Sequence, residues 1–119
     1  MNLRSLTAGL NFRGTVKGQR QTYYVFEGKR FFFICSFSRT KRKAGYFNMV
    51  SLDAVQYAGR LAGGKRGITA RDLHERSRNA RHVGSALEAL NILYVLVATN
   101  RAGIDRRHMG KQLFFNINK

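Results

Sequence analysis

The sequence predicts an α+β protein: an antiparallel β-meander in the first part of the chain, then three helices and a closing β-hairpin. Two runs dense in aromatic and β-branched residues, Thr22–Glu27 and Arg30–Phe37, predict the meander. Ser51 and Thr69, each with an acid in the turn that follows (Asp53 and Asp72), mark two helix starts. Beyond them, apolar positions 83, 86, 87 and 90 recur at helical spacing and two apolar runs flank a basic loop. The 119 residues are 44% hydrophobic, enough for a packed interior, and hold no proline and no Ser/Gly-rich linker. The chain therefore reads as two halves, 1–50 and 51–119, that pack together.

In order, Leu6–Leu10 suits a helical turn and Phe12–Lys17 a strand. The hairpin Thr22–Glu27 and Arg30–Phe37 is joined by Gly28-Lys29, whose leading glycine suits a type II′ turn. Tyr23 and Val25 oppose Tyr24 and Phe26, and Phe31, Phe33 and Cys35 oppose Phe32 and Ile34, so both faces are apolar and both need covering. A third strand, Tyr46–Val50, follows the basic loop Arg39–Gly45. Leu52, Val55, Ala58, Leu61 and Ala62 form the stripe of a helix that Gly63-Gly64 ends. An extended piece, Lys65–Ile68, leads to Thr69, where Thr-Ala-Arg-Asp is a partial capping box for a helix over Ala70–Ser77 with Leu73 inward. A break at Ser77–Asn79 precedes a helix over Ala80–Asn91. Tyr94–Ala98 reads as a strand, Thr99–Gly110 as a basic loop and Gln112–Ile117 as the last strand.

Charge narrows the function. Lys and Arg number 22 against 6 acids, a formal net charge of +16. Such an excess repels itself and suits a polyanionic partner, because Lys and Arg that neutralise phosphates gain affinity from counterion release. The alternative is a merely soluble basic surface. A single cysteine, Cys35, excludes an internal disulfide and a cysteine-based zinc site. The opening MNLRSLTAGL lacks the apolar core of a signal peptide, and the apolar runs Phe31–Cys35 and Ile92–Ala98 are too short to span a bilayer. The expectation is a cytoplasmic, nucleoid-associated protein with no membrane partner.

The order helix, short strand, helix, turn, helix, strand, basic loop, strand from Ser51 to the end resembles the winged helix-turn-helix family of DNA-binding domains. The resemblance covers about residues 51–117, and ITARDLHERSRNARHVGSALEALNILYVLVA carries most of it: Thr69, Leu73, then Val83, Ala86, Leu87 and Leu90, then the apolar run Tyr94–Ala98. It implies three helices plus a β-hairpin wing, with the second helix of the motif in the major groove. Arg78, Asn79, Arg81, His82 and Ser85 are then the base- and phosphate-contacting candidates, since Arg pairs guanine, Asn pairs adenine and Ser takes either base or phosphate. Gly84 leaves room for a close backbone approach. The loop Thr99–Lys111 becomes the wing, offering Arg101, Arg106, Arg107 and Lys111, while Lys65, Arg66 and Arg71 are phosphate candidates at the start of the motif. For each of these cations the plain alternative is solvation.

Arg39, Lys41, Arg42 and Lys43 form the densest charge run, either a backbone contact or a solvated loop. Tyr23, Tyr24, Phe26, Phe31, Phe32 and Phe33 support two readings: a stacking platform for unpaired bases, or, as preferred, core on one face with a dimer or domain contact on the other. Chemistry-bearing patterns are sparse. The acids Glu27, Asp53, Asp72, Glu75, Glu88 and Asp105 form no carboxylate pair with a nearby Lys, and His74, His82 and His108 lack metal-ligand spacing. No Walker-type loop is present. The sequence thus predicts a non-enzymatic, cofactor-free nucleic-acid-binding protein: a duplex-DNA-binding transcriptional regulator of winged-helix type, with a homodimer through the aromatic hairpin suited to two half-sites. The alternatives are an RNA- or single-strand-binding module and a winged-helix protein-interaction scaffold.

Overall fold

The computed structural model describes residues 9–19, 21–37, 44–107, 110 and 112–119. Strands β1 (Asn11–Lys17), β2 (Thr22–Glu27), β3 (Phe31–Phe37) and β4 (Ala44–Ser51) form one antiparallel sheet in sequential order. The meander thus has four strands rather than about three, because the strand expected at Phe12–Lys17 pairs with β2 as β1. The turn expected at Leu6–Leu10 begins outside the described residues.

The β2–β3 connection corrects the sequence expectation. The Gly28 amide donates to the Phe31 carbonyl at 2.8 Å, so the two-residue link is Lys29-Arg30, one residue later than expected. Neither residue has positive φ, so the type II′ geometry is absent. The reason is register. Pairing Val25 with Ile34 and Glu27 with Phe32 points Val25, Ile34 and Phe32 into the core, whereas a one-residue slip would turn one strand's apolar set outward. Core burial outweighs a turn preference.

Helix α1 (Leu52–Ala62) begins at Ser51, whose Oγ accepts from the Ala54 amide at 3.0 Å. Its buried side, Ala54, Val55, Ala58 and Ala62, follows most of the predicted stripe. Helix α2 (Ala70–Arg76) carries a complete capping box: Thr69 Oγ1 accepts from the Asp72 amide at 3.1 Å, and Asp72 Oδ2 from the Thr69 amide at 3.0 Å. Aspartate thus fills the place of Glu or Gln, and losing such a cap typically costs about 1 kcal/mol.

The largest correction concerns the next helix. It does not run from Ala80 to Asn91; a connection over 77–85 precedes α3 (Ala86–Ala98), which Ser85 caps through the Glu88 amide at 3.1 Å. The expected strand Tyr94–Ala98 is the C-terminal half of this helix. Strand β5 is instead Ala102–Ile104, paired antiparallel with β6 (Phe115–Ile117). The extended segment before α2 joins this hairpin: Ile68 and Phe115 exchange both backbone bonds, at 3.0 and 2.7 Å, and the Ile117 amide donates to Lys65 at 2.8 Å.

Burial explains the difference. From Ala89 to Ala98 every residue of α3 except Leu90 and Val97 is buried, because the sheet packs on it as well as α1 and α2. A helix apolar all round has no 3.6-residue period, and its Ile, Val and Tyr content mimics a strand. Helical propensity penalises those residues by less than about 0.7 kcal/mol each, whereas burying Ile92, Leu93, Val95 and Leu96 gains about 1.5–3 kcal/mol each. Packing therefore decides for the helix. The expected stripe fails accordingly: Val83 is buried, but Ala86 and Leu87 are exposed, Leu87 at 54%. Among the described residues no helix is long and apolar enough to cross a membrane.

Candidate nucleic-acid interface

The electrostatics of the surface start from the six acids, because five of them bond or pair within their own neighbourhood. Glu27 lies 3.4 Å from Arg13, Glu75 3.0 Å from Arg71 and Asp105 2.7 Å from Arg107. Asp72 serves the capping box, Glu88 accepts from the Gly84 amide at 3.0 Å, and Asp53 sits in the first turn of α1 beside the helix dipole. The acids compensate a few arginines and their own helix ends, and among the described residues the other exposed cations have no carboxylate partner.

The five base-contacting candidates lie on the connection between α2 and α3, not on a helix. Three of them build that connection. Asn79 Oδ1 accepts from the Arg81 amide at 3.0 Å, and its carbonyl accepts from the His82 and Val83 amides. The His82 ring packs 5.3 Å from the Tyr57 ring, and Ser85 Oγ is the α3 cap. Gly84 has its amide bound to Glu88, so the close backbone approach expected there is already taken. Arg78 and Arg81 keep exposed side chains and, with exposed Arg76 at the end of α2, form one short cationic stretch.

Tyr57 organises this stretch, and sequence reasoning missed it. Its hydroxyl oxygen accepts from the Arg78 amide at 3.1 Å and lies 3.4 Å from Ser77 Oγ. The hydrogen bond to Ser77, then that to Arg78, hold the phenol below its ordinary pKa of 10.0. The available signal was a tyrosine just off the α1 stripe with no partner of its own on that helix.

The remaining candidates divide in the same way. Lys65 and Arg66 are exposed on the extended segment before Ile68. Arg71 is exposed but pairs with Glu75 one helical turn away. Arg101 lies over α1, where a Cβ on Gly59 would stand 2.5 Å from its Nη2. Arg106 Nη2 donates to the Lys17 carbonyl at 2.8 Å, and Arg107 donates to both oxygens of Asp105, at 2.9 and 2.7 Å, which raises its pKa. The expected free basic loop therefore begins with helix cap and strand, and folds back on the β1–β2 turn. Gln19 Nε2 donates to the Gly110 carbonyl, and Gly18, Ile104 and Leu113 line the hollow between the two loops. Lys111, Arg39, Lys41, Arg42 and Lys43 lie outside the described residues.

Comparison with known proteins returns no match to this chain: no family model, no curated protein and no solved structure.

Proposed function

We propose that this chain binds nucleic acid through the cationic surface of its helical half, preferring duplex DNA and gripping mainly the phosphate backbone. The observation that carries this reading is that five of the six acids bond or pair locally and Asp53 sits at the start of α1, while Lys65, Arg66, Arg76, Arg78 and Arg81 are exposed without a carboxylate partner among the described residues. Arginine and lysine so arranged supply affinity by releasing counterions and carry no sequence information themselves.

We read the helical half as a winged helix. Support comes from the order α1, extended segment, α2, α3, β5, β6, and from the backbone bonds that join Ile68 and Lys65 to β6. Burial of α3 modifies how such a domain would work. Its residues from Ala89 onward cannot enter a groove without unpacking the core, so contact falls to the 77–85 connection and the segment before Ile68. A transcriptional regulator or architectural protein acting at the nucleoid, in the cytoplasm, would use such a surface.

The test is a salt titration of binding to random duplex DNA, single-stranded DNA and RNA by fluorescence anisotropy. Tight duplex binding is expected at low salt, with log K falling linearly with log salt by about 0.9 per neutralised phosphate. No binding at low salt would overturn the proposal.

A further inference from the structure

The four-stranded sheet has two apolar faces, and the helices cover one. Val16, Val25, Phe32, Ile34 and Val50 point into the shared core. Because side chains alternate along a strand, the residues between them point the other way. Register turns these into a row: Phe12 pairs with Phe26, Phe26 with Phe33, and Phe33 with Met49, so one line of large apolar side chains crosses all four strands. The neighbouring row holds Tyr24, Cys35 and Phe47. Strands stand about 4.8 Å apart, so the first row is about 14 Å long.

Among the described residues, Phe12 is 56% exposed on this outer face, Met49 54%, Phe47 48% and Phe31 38%, while Phe26 and Cys35 between them are buried. The rings lie in contact, Phe12 with Phe26 at 5.3 Å and Phe33 with Phe47 at 5.9 Å between centroids. A contiguous exposed apolar patch marks a binding surface more often than chance. Its other described members are Thr15, Lys17, Thr22 and Ser51, with no acid among them. Exposed Lys17 stands at one end of the sheet, and Lys29 and Arg30, in the β2–β3 turn, stand at the other.

We infer that this face stacks the unpaired bases of a single-stranded nucleic acid. The inference rests on the nucleic-acid reading above and adds a second surface to it. Charge selects this occupant over a second copy of the chain. A face-to-face dimer brings together two molecules of net charge +16, whereas a single strand offers flat π-faces to the phenylalanines and phosphates to the flanking cations. Duplex bases are already stacked and cannot reach the rings. Stacking engages the π-faces that DNA and RNA bases share, so strands of either kind bind alike.

The experiment compares wild type with the double variant Phe12→Ala/Phe47→Ala on a mixed-sequence single strand, as DNA and as RNA, and on a duplex of equal length. All affinities are measured at one low salt concentration at which wild type binds both duplex and single strands, and the oligomeric state is measured by sedimentation. Single-strand affinity should fall by about tenfold or more in the variant, since base stacking on one aromatic ring is typically worth that much, while duplex affinity stays unchanged. The pair Phe12→Leu/Phe47→Leu keeps apolar bulk without the ring. It should show the same loss at an unchanged melting temperature, which separates stacking from folding. Undiminished single-strand binding, or equal loss on duplex, overturns the inference and leaves the cationic surface standing. A wild-type dimer that the variants dissociate, with single-strand binding intact, overturns it in favour of a second copy. No binding of any nucleic acid by wild type overturns both proposals.

Discussion

The backbone amide of Arg78 donates to the phenol oxygen of Tyr57 across 3.1 Å, tying the connection between α2 and α3 to α1. Tyr57→Phe removes the acceptor and keeps the ring, so amide exchange at Arg78 should accelerate while the overall fold persists; unchanged exchange would show the bond to be dispensable. The Tyr57 phenol should also titrate below its ordinary pKa of 10.0, and this contribution to phenolate absorbance should vanish in the variant. A pKa lowered by folding stabilises the folded state fully above the ordinary value of 10.0 and loses that contribution as pH falls through the lowered value. The effect is therefore confined to alkaline solution and absent at neutral pH.

Exposed Arg78 and Arg81 are expected to meet phosphates. Arg78→Ala/Arg81→Ala should weaken binding equally on unrelated duplex sequences and reduce the salt slope by about 1 for each phosphate no longer neutralised. Weakening confined to one selected sequence, at an unchanged slope, would assign these arginines to base reading.

Gly14 holds the bulge of β1 against the end of α3. Its φ is 154°, and a Cβ there would lie 2.9 Å from the Ala98 carbonyl oxygen. Gly14→Ala should cost about 1–3 kcal/mol in a denaturant titration. Gly103→Ala, with nothing within 4 Å of its Cβ, should stay within about 0.5 kcal/mol of wild type.

The register of α3 can be tested on two leucines. Leu93 is fully buried and Leu87 is 54% exposed. Leu93→Ala should cost about 2–5 kcal/mol, and Leu87→Ala should stay within about 0.5 kcal/mol. The reverse order would restore the stripe that the sequence suggests.

Local signals in this chain are legible wherever the physics is local. The caps at Ser51 and Thr69 can be read because the groups that bond lie within three residues of each other, and Gly63-Gly64 marks the end of α1 for the same reason. The aromatic density of β2 and β3 announces strands, and the charge excess points to a polyanion without any fold. Tertiary structure decided the rest. Tyr94–Ala98 is helical because burial on every side rewards its apolar residues whatever their propensity, and no window of sequence contains the sheet that buries them. The turn after Gly28 shifted because register across two strands governs which face is buried. Asn79, His82 and Ser85 could each be read as a base contact, yet their partners Arg81, Tyr57 and Glu88 engage them within the fold. Composition alone set the cationic character of this protein, whereas only long-range packing determined which cations and which aromatic rings face the solvent.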